Sequence, residues 1–315
     1  MKILVMGSVA LDSVKAPTGS VRDTVGGSAF YFAHGARPFA STAVVSIVGK
    51  DFPQSEFQDM DALGIDRTGL AVGEGDTFRW EGRYLQDMNV RETIKTELNV
   101  LEEFVPFVPE HLRKAKIVFL ANMEPETQLA VLDQMKRPWL TACDTMNLWI
   151  EHHRDRLLEL LGRVDLFFLN DEEARMLTGK NSLVAAGKAV RELGPQWVVL
   201  KRGEHGSMLF GGGNPFVLSA FPTTSVQDPT GAGDSFAGGC LGYLAWRGSD
   251  SEESLRASLA VGGVVASFTV EEFGANRLKG LTLEEIAGRA KAFAEMTSFA
   301  VDWYSLQEGI GKGSS

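Results

Sequence analysis

Between Gln227 and Gly239 the chain reads Gln-Asp-Pro-Thr-Gly-Ala-Gly-Asp-Ser-Phe-Ala-Gly-Gly. Three small residues, Gly231, Ala232 and Gly233, are followed at once by Asp234 and then by an apolar helical pattern from Phe236 to Trp246. A turn without bulky side chains lets backbone N–H groups approach a ligand. At a helix N-terminus those donors and the helix dipole make an anion site. A carboxylate beside such a site repels the anion, so Asp234 needs another reason to be there. General-base catalysis supplies one, because a base must stand where a hydroxyl attacks a phosphoryl group. Simple capping of an ordinary helix supplies another.

A second pattern, Asn170-x-x-Glu173, stands at a strand-to-helix junction. It has the spacing of a capping box. Its oxygens also suit the organisation of Mg²⁺, its water and phosphate, since hard cations favour carboxylate and amide oxygens. The chain carries no Gly-x-x-x-x-Gly-Lys-Ser/Thr and no Gly-x-Gly-x-x-Gly after the first strand. Neither His-Glu-x-x-His nor Gly-x-Ser-x-Gly occurs. His152 and His153 lie in a polar helical stretch and read as solvated.

The elements that must position these residues follow an α/β rhythm. Short apolar runs at Ile3–Met6, Ala43–Val48, Ile117–Leu120, Trp139–Cys143, Leu166–Leu169 and Trp197–Leu200 read as buried strands. Helical patterns separate them, among them 28–37, 52–63, 125–136, 148–161, 171–177 and 183–193. Ser207–Phe210 and Phe216–Ser219 read as antiparallel strands, and helices over 252–268 and 283–297 follow the glycine turn. This order suits a parallel sheet with right-handed crossovers. The stretch 12–25 reads as a polar, turn-rich excursion. Phe78, Trp80, Gly82 and Tyr84 alternate at period two, which predicts an antiparallel pair linked near Gln86–Asn89, a substrate lid or a dimer surface. Ligands gather beyond the carboxyl ends of strands in such sheets. Asp12, Gly26, Gly27, Asp144, Asn147, Asn170, Glu173, Lys201 and the 231–234 turn all fall there, which predicts one active site.

Composition sets the outer bounds. The 315 residues, 44% hydrophobic and 23% charged, suit a large α/β domain. A net charge of −10 argues against a nucleic-acid partner. Cys143 and Cys240 read as buried apolar side chains of a reducing compartment. No apolar run reaches membrane-spanning length, and the start is too short for a signal peptide, so a soluble cytoplasmic protein is expected. The tail, 311–315, is expected to be disordered.

Asp-Pro-Thr-Gly-Ala-Gly-Asp at 228–234 resembles the C-terminal signature of the ribokinase-like, PfkB-type carbohydrate and nucleoside kinases, usually Asp-Thr-Thr-Gly-Ala-Gly-Asp. Gly26-Gly27-Ser28-Ala29 resembles the N-terminal signature, Gly49-Lys50-Asp51 the family's Gly-x-Asp, and Asn170-x-x-Glu173 its magnesium motif. Gly203-x-x-Gly206 resembles the loop after a nucleotide-site strand. The resemblance implies a single-domain three-layer α/β/α sandwich over 1–315. A mostly parallel central sheet would carry a small β-sheet lid, inserted at about 13–24 and 72–102. It implies ATP-dependent phosphorylation of an alcohol, with Asp234 as base and the N–H groups of Gly231, Ala232 and Gly233 as anion hole. Asp12 and Gly27 would orient the acceptor. Lys201, Gly203, Gly206, Thr223 and the 264–276 region would lie near the nucleotide. Asp228 and Thr230 occupy positions that in many relatives help bind K⁺; Pro229 replaces the usual Thr there.

Other departures bear on the acceptor. Where sugar kinases of the family usually carry Asn, this chain has Tyr31, which cannot make an amide's paired contacts to sugar hydroxyls. Tyr31 either stacks on a cyclic acceptor such as a nucleoside or points into the core. After Asp144 the chain reads Thr-Met-Asn-Leu-Trp, without the Arg common in relatives acting on phosphorylated sugars. An unphosphorylated sugar is therefore expected, with a nucleoside as the alternative and a non-catalytic binding protein as a remote one. Arg79, Arg83 and Arg91 in the lid could supply the missing charge, and the lid could also form a homodimer.

Overall fold

The structure, a computed structural model, describes residues 1–298; the tail at 311–315 lies outside them. In chain order the strands are β1 (Lys2–Met6), β2 (Ala10–Ala16), β3 (Gly19–Gly26), β4 (Ser41–Val48), β5 (Asp66–Val72), β6 (Arg79–Tyr84) and β7 (Arg91–Glu97). They continue as β8 (Ile117–Leu120), β9 (Leu140–Cys143), β10 (Leu166–Asn170), β11 (Trp197–Lys201), β12 (Ser207–Phe210) and β13 (Phe216–Leu218). The helices are α1 (Ser28–Ala36), α2 (Gln54–Ala62), α3 (Pro125–Leu132), α4 (Asn147–His152), α5 (Arg154–Leu161) and α6 (Asp171–Thr178). After them come α7 (Leu183–Arg191), α8 (Ala232–Arg247), α9 (Glu252–Thr269), α10 (Asn276–Lys279) and α11 (Leu283–Thr297).

Strands whose residues are apolar on both faces must be covered on both sides. Ile3 and Val5 enter one core with Phe119, Phe168 and the α1, α8 and α9 side chains. Leu4 and Met6 enter the other with Val118, Phe167 and the α3, α5 and α7 side chains. The result is the expected three-layer α/β/α sandwich. Its sheet runs β13-β12-β11-β10-β9-β8-β1-β4-β5, parallel from β5 to β11 and closed at the far edge by the antiparallel β11-β12-β13 meander.

Four expectations are corrected. The stretch read as an excursion, 12–25, is the hairpin β2–β3, which joins β6 and β7 in a separate four-stranded sheet, β3-β2-β6-β7. Strand β5 escaped the apolar pattern because it is a half-exposed edge opening on Asp66, Arg67 and Thr68. The expected helix 148–161 breaks in two at His153, whose backbone leaves the helical region at φ −128°. Helix α8 begins at Ala232, not at Phe236, so Asp234 lies within its first turn.

Helices α1 and α8 meet backbone to backbone. A Cβ on Gly238 would stand 2.4 Å from the Phe32 carbonyl oxygen, and one on Gly35 would stand 2.8 Å from that of Ser235. Gly238→Ala should therefore force the helices apart and cost about 1–3 kcal/mol, the range for overpacking. Urea unfolding measures it, and an unchanged midpoint would show that the helices yield freely.

Candidate active site

Both helices start at a glycine with positive φ, Gly27 at +93° before α1 and Gly231 at +76° before α8. Neither position has room for a side chain: a Cβ on Gly27 would lie 2.5 Å from the Ser8 carbonyl, and one on Gly231 would lie 2.3 Å from the Tyr31 ring. Ser8 and Ser28 lock the first turn to the end of β1, each backbone N–H donating to the other's hydroxyl at 3.1 and 3.0 Å. The chain therefore presents two helix N-termini to one space.

Carboxylates surround that space. Asp12, on β2, is 4% exposed, and a Cβ on Gly26 would collide with its Oδ2. Burial pushes its carboxyl up to about 7; the Gly27 N–H pulls the other way, and the charges of Asp228 and Asp234 push it further up. Asp234 is half-buried. Burial and then the charge of Asp144 raise it to about 7 as well, against the pull of Lys201 and Arg91. Asp228 is fully buried, its oxygens accepting from the Thr230 N–H at 2.9 Å and the Gly274 N–H at 3.4 Å.

Lys201, at the end of β11, donates to Asp144 Oδ2 at 2.7 Å. Its ammonium would sit 3.3 Å from a Cβ on Gly233, directly beside the glycine turn. Burial works against its charge, but Asp144 and Glu173 outweigh burial and hold the pKa above the usual lysine value. Asp144, one of the polar residues expected at the strand ends, orients the lysine. Its strand end is tied to that of β8 by the Gln128 amide, which donates to the carbonyls of Leu120, Ala121 and Asp144 at 2.9 to 3.0 Å. Asn170 and Glu173 do form a complete capping box, with N–H···O distances of 2.8 and 2.7 Å. Glu173 is also buried within reach of Lys201 and Asp144, and burial raises its pKa. The capping box and the metal reading are thus compatible. Asn147 opens α4, half-buried.

Beyond Lys201 and Gly233 opens a cleft of about 850 Å³, lined among others by Gly203, Gly206, Thr223, Phe236 and Ser267. Of the residues expected near the nucleotide, Lys201, Gly203, Gly206 and Thr223 line it, and of 264–276 Ala266, Ser267 and Val270. Lid residues 86–89 form part of its wall. Three hydrogen bonds tie the lid down: Thr18 to the Gln227 carbonyl at 2.6 Å, Thr230 to Tyr84 Oη at 3.3 Å and Asn89 to Glu204 at 3.0 Å. At the lid's root, Asp51 of Gly49-Lys50-Asp51 accepts from the N–H and hydroxyl of Thr77, both at 2.7 Å, and pairs with Arg79. Thr77 was invisible in the sequence, because a lone buried threonine carries no pattern.

Tyr31 is corrected. Its side chain is 1% exposed, so its ring cannot stack on an acceptor. It fills the space that Gly26 and Gly231 leave, with a Cβ on Gly26 only 3.1 Å from the ring. Its hydroxyl has no hydrogen-bond partner among the described residues.

A sequence profile of pfkB family carbohydrate kinases matches residues 7–279. The chain belongs to that family. A cytidine kinase of Thermococcus kodakarensis is 31% identical over 267 residues, covering 82% of this chain and 94% of that protein. A nucleoside kinase of Methanothermobacter thermautotrophicus is 28% identical over 293 residues, 84% and 86% of the two chains. In structure, the nucleoside kinase of Methanocaldococcus jannaschii superposes with a TM-score of 0.74 at 22% identity, over 92% of this chain and 98% of that one. This pfkB-family chain is a phosphotransferase with a sugar or nucleoside alcohol as acceptor, of an ATP-using family. No described helix is long and apolar enough to cross a membrane.

Tyr31 in this pfkB-family chain gives a paired prediction. Tyr31→Phe removes only an unpartnered buried hydroxyl and should leave stability unchanged or higher. Tyr31→Ala empties the wedge under Gly231 and should cost about 3–5 kcal/mol. Thermal and urea unfolding of the two variants measure the difference; equal losses would show that the hydroxyl has a hidden partner.

Proposed function

We propose that the chain transfers the γ-phosphoryl group of ATP to a ribose hydroxyl of a nucleoside, with a cytidine-like acceptor first among candidates. The observation that carries the chemistry is Asp234 in the first turn of α8, beside the Gly231–Gly233 N–H groups and the Lys201 ammonium. The acceptor class rests on the cytidine and nucleoside kinases that match over four fifths of the chain. With Tyr31 buried, no side chain here argues for a nucleoside over a free sugar, and the relatives alone carry the choice.

Asp12 and the Gly27 turn hold the acceptor under the lid, and Asp234 takes the proton as the hydroxyl oxygen attacks phosphorus. The N–H groups of Gly231, Ala232 and Gly233 and the positive end of α8 meet the charge that develops on the phosphoryl oxygens. Lys201, oriented by Asp144, adds its charge beside the same turn. Asn170 and Glu173 fit Mg²⁺ held through water, because a carboxylate and an amide oxygen are hard donors. Mg²⁺ there would neutralise phosphate charge. Asp228 and Thr230 fit K⁺ less closely, since both Asp228 oxygens already accept backbone N–H groups. The lid edge β7 is exposed almost throughout, Ile94 by 52%, which suits a homodimer; light scattering over a concentration series that shows only monomer would reject it.

An ADP-release assay with cytidine, uridine, adenosine, inosine, ribose and fructose, run in potassium and in choline salts, tests the reading. Turnover of nucleosides is expected; turnover of free sugars alone would replace the acceptor class, and equal rates in both salts would remove K⁺.

Asp234→Asn should lower kcat on the order of 10²–10⁴-fold, the scale of a general base. In the wild type, kcat should fall as pH drops below about 7, where Asp234 takes up its proton. The sign for stability is opposite. Between the ordinary carboxylate value and about 7 the folded state holds a proton that the unfolded chain has released, so this group's contribution falls as pH rises. Asp234→Asn should therefore be at least as stable as wild type at pH 8. Near-wild-type turnover in the variant would sink the assignment.

A further inference from the structure

Strand β13 ends at Leu218, and from Phe221 to Val226 the chain forms neither helix nor strand. Among the described residues, no main-chain to main-chain hydrogen bond holds this segment. Phe221 nevertheless lines the cleft, together with Leu259, Gly263 and Ser267 of α9. Its place must come from side-chain packing, and α11 supplies that packing. Arg289 and Phe293 stand four residues apart on this helix, hence on one face. The buried Phe293 ring meets Phe221 edge to face at 5.9 Å, and the Arg289 guanidinium lies 5.1 Å from the Phe221 centroid.

The same guanidinium grips α9. Arg289 Nη1 donates to Ser267 Oγ at 3.0 Å, and the guanidinium carbon stands 3.5 Å from the centroid of the buried Phe268 ring. Its Nη2 pairs with Glu271 at 2.9 Å. Ser267 gives its own hydroxyl proton to the Val264 carbonyl at 2.6 Å, so Arg289 is the group that fixes its oxygen from outside the helix. Arg277, paired with Glu285 at 2.6 Å, lies 4.6 Å from the Phe268 centroid and completes the cluster. Arg289 is mostly buried, so its ring contacts and hydrogen bonds act where water screens them least. Arg289 itself does not line the cleft.

The cleft has two chemical ends. Lys201 and Gly233 offer charge and N–H groups, whereas the stretch walled by Phe221, Leu259 and Ala266 is apolar. With phosphates at the first end, a flat heteroaromatic ring fits the second. Resting on the kinase reading above, we propose that Arg289 is a positioning residue for the base of the nucleotide. It anchors Phe221, on a segment without backbone support, to the α9 wall at Ser267 and Phe268. The slot for the base therefore exists before the nucleotide arrives. A slot formed in advance raises affinity, because Phe221 need not be ordered on binding.

The test uses the full chain with the acceptor that the screen identifies. In Arg289→Met the KM for ATP and the calorimetric Kd for ADP should rise on the order of tenfold, with kcat and the acceptor KM nearly unchanged. Inhibition by inorganic tripolyphosphate, which has the phosphates without a base, should stay as in wild type; a merely structural loosening would weaken it too. Arg289→Lys should fall between, because an ammonium cannot hold Ser267, Glu271 and both rings at once. Arg256→Met is the control: Arg256 also lies over an aromatic ring, 5.2 Å from the Phe216 centroid, and neither residue lines the cleft. An unchanged ADP Kd in Arg289→Met overturns the inference while leaving the kinase reading intact. So does an equal loss in Arg256→Met, or an equal weakening of ADP and tripolyphosphate. Should Arg289→Met not fold, Arg289→Lys decides, and wild-type ADP affinity there overturns the inference. A wild-type chain that neither binds ADP nor turns over ATP with any acceptor overturns both.

Discussion

The approach of α1 and α8 is the constraint on which the site depends. Gly35 and Gly238 allow main chain to touch main chain, so the glycine turns at the two N-termini are fixed relative to each other. On the proposed reading Gly27 serves the acceptor and Gly231 the phosphoryl group, and Tyr31 is wedged against Gly26 and Gly231. Catalysis by positioning demands this kind of rigidity, because small displacements of reacting groups cost large factors in rate. The wedge explains why a bulky aromatic stands where relatives use a small amide. It braces the turns from below and leaves the acceptor to other residues.

Against this rigid floor the charges are unbalanced. Asp12, Asp228, Asp234 and Glu173 crowd the site, and Lys201, the cation buried beneath it, is already engaged by Asp144. Four carboxyls held above their ordinary range mean that the empty site is electrostatically strained. Under the proposed function, cations that arrive with the nucleotide would relieve that strain. Part of the binding free energy of the substrates is thus set aside in the folding of the apo protein, a cost that functional sites commonly carry.

Much of this was legible in residue order. Buried strands announced themselves as apolar runs, and the polar residues at their ends, Asp12, Asp144, Asn170 and Lys201, do converge on one space. What failed, failed for definite reasons. Periodicity sees where a helix becomes apolar, not where it starts, so α8 was begun four residues late and Asp234 left outside it. The hairpin β2–β3 is exposed on one side and rich in polar residues, which erased its alternation. Tyr31 could be read as stacking or as core, because only the missing side chains of Gly26 and Gly231 show what it fills. The pairing of Asp144 with Lys201, 57 residues away in sequence, left no local trace.

Strand β2 belongs to the lid sheet and also carries Asp12. If Asp12 binds the acceptor as proposed, a lid that lifts with this strand draws that carboxylate away from the acceptor. Opening the door and loosening the grip are then a single motion, so a phosphorylated product leaves through a site that has already stopped holding it, while an unreacted acceptor held under a closed lid has no partial exit. Commitment to reaction would then be written into the connectivity of one strand.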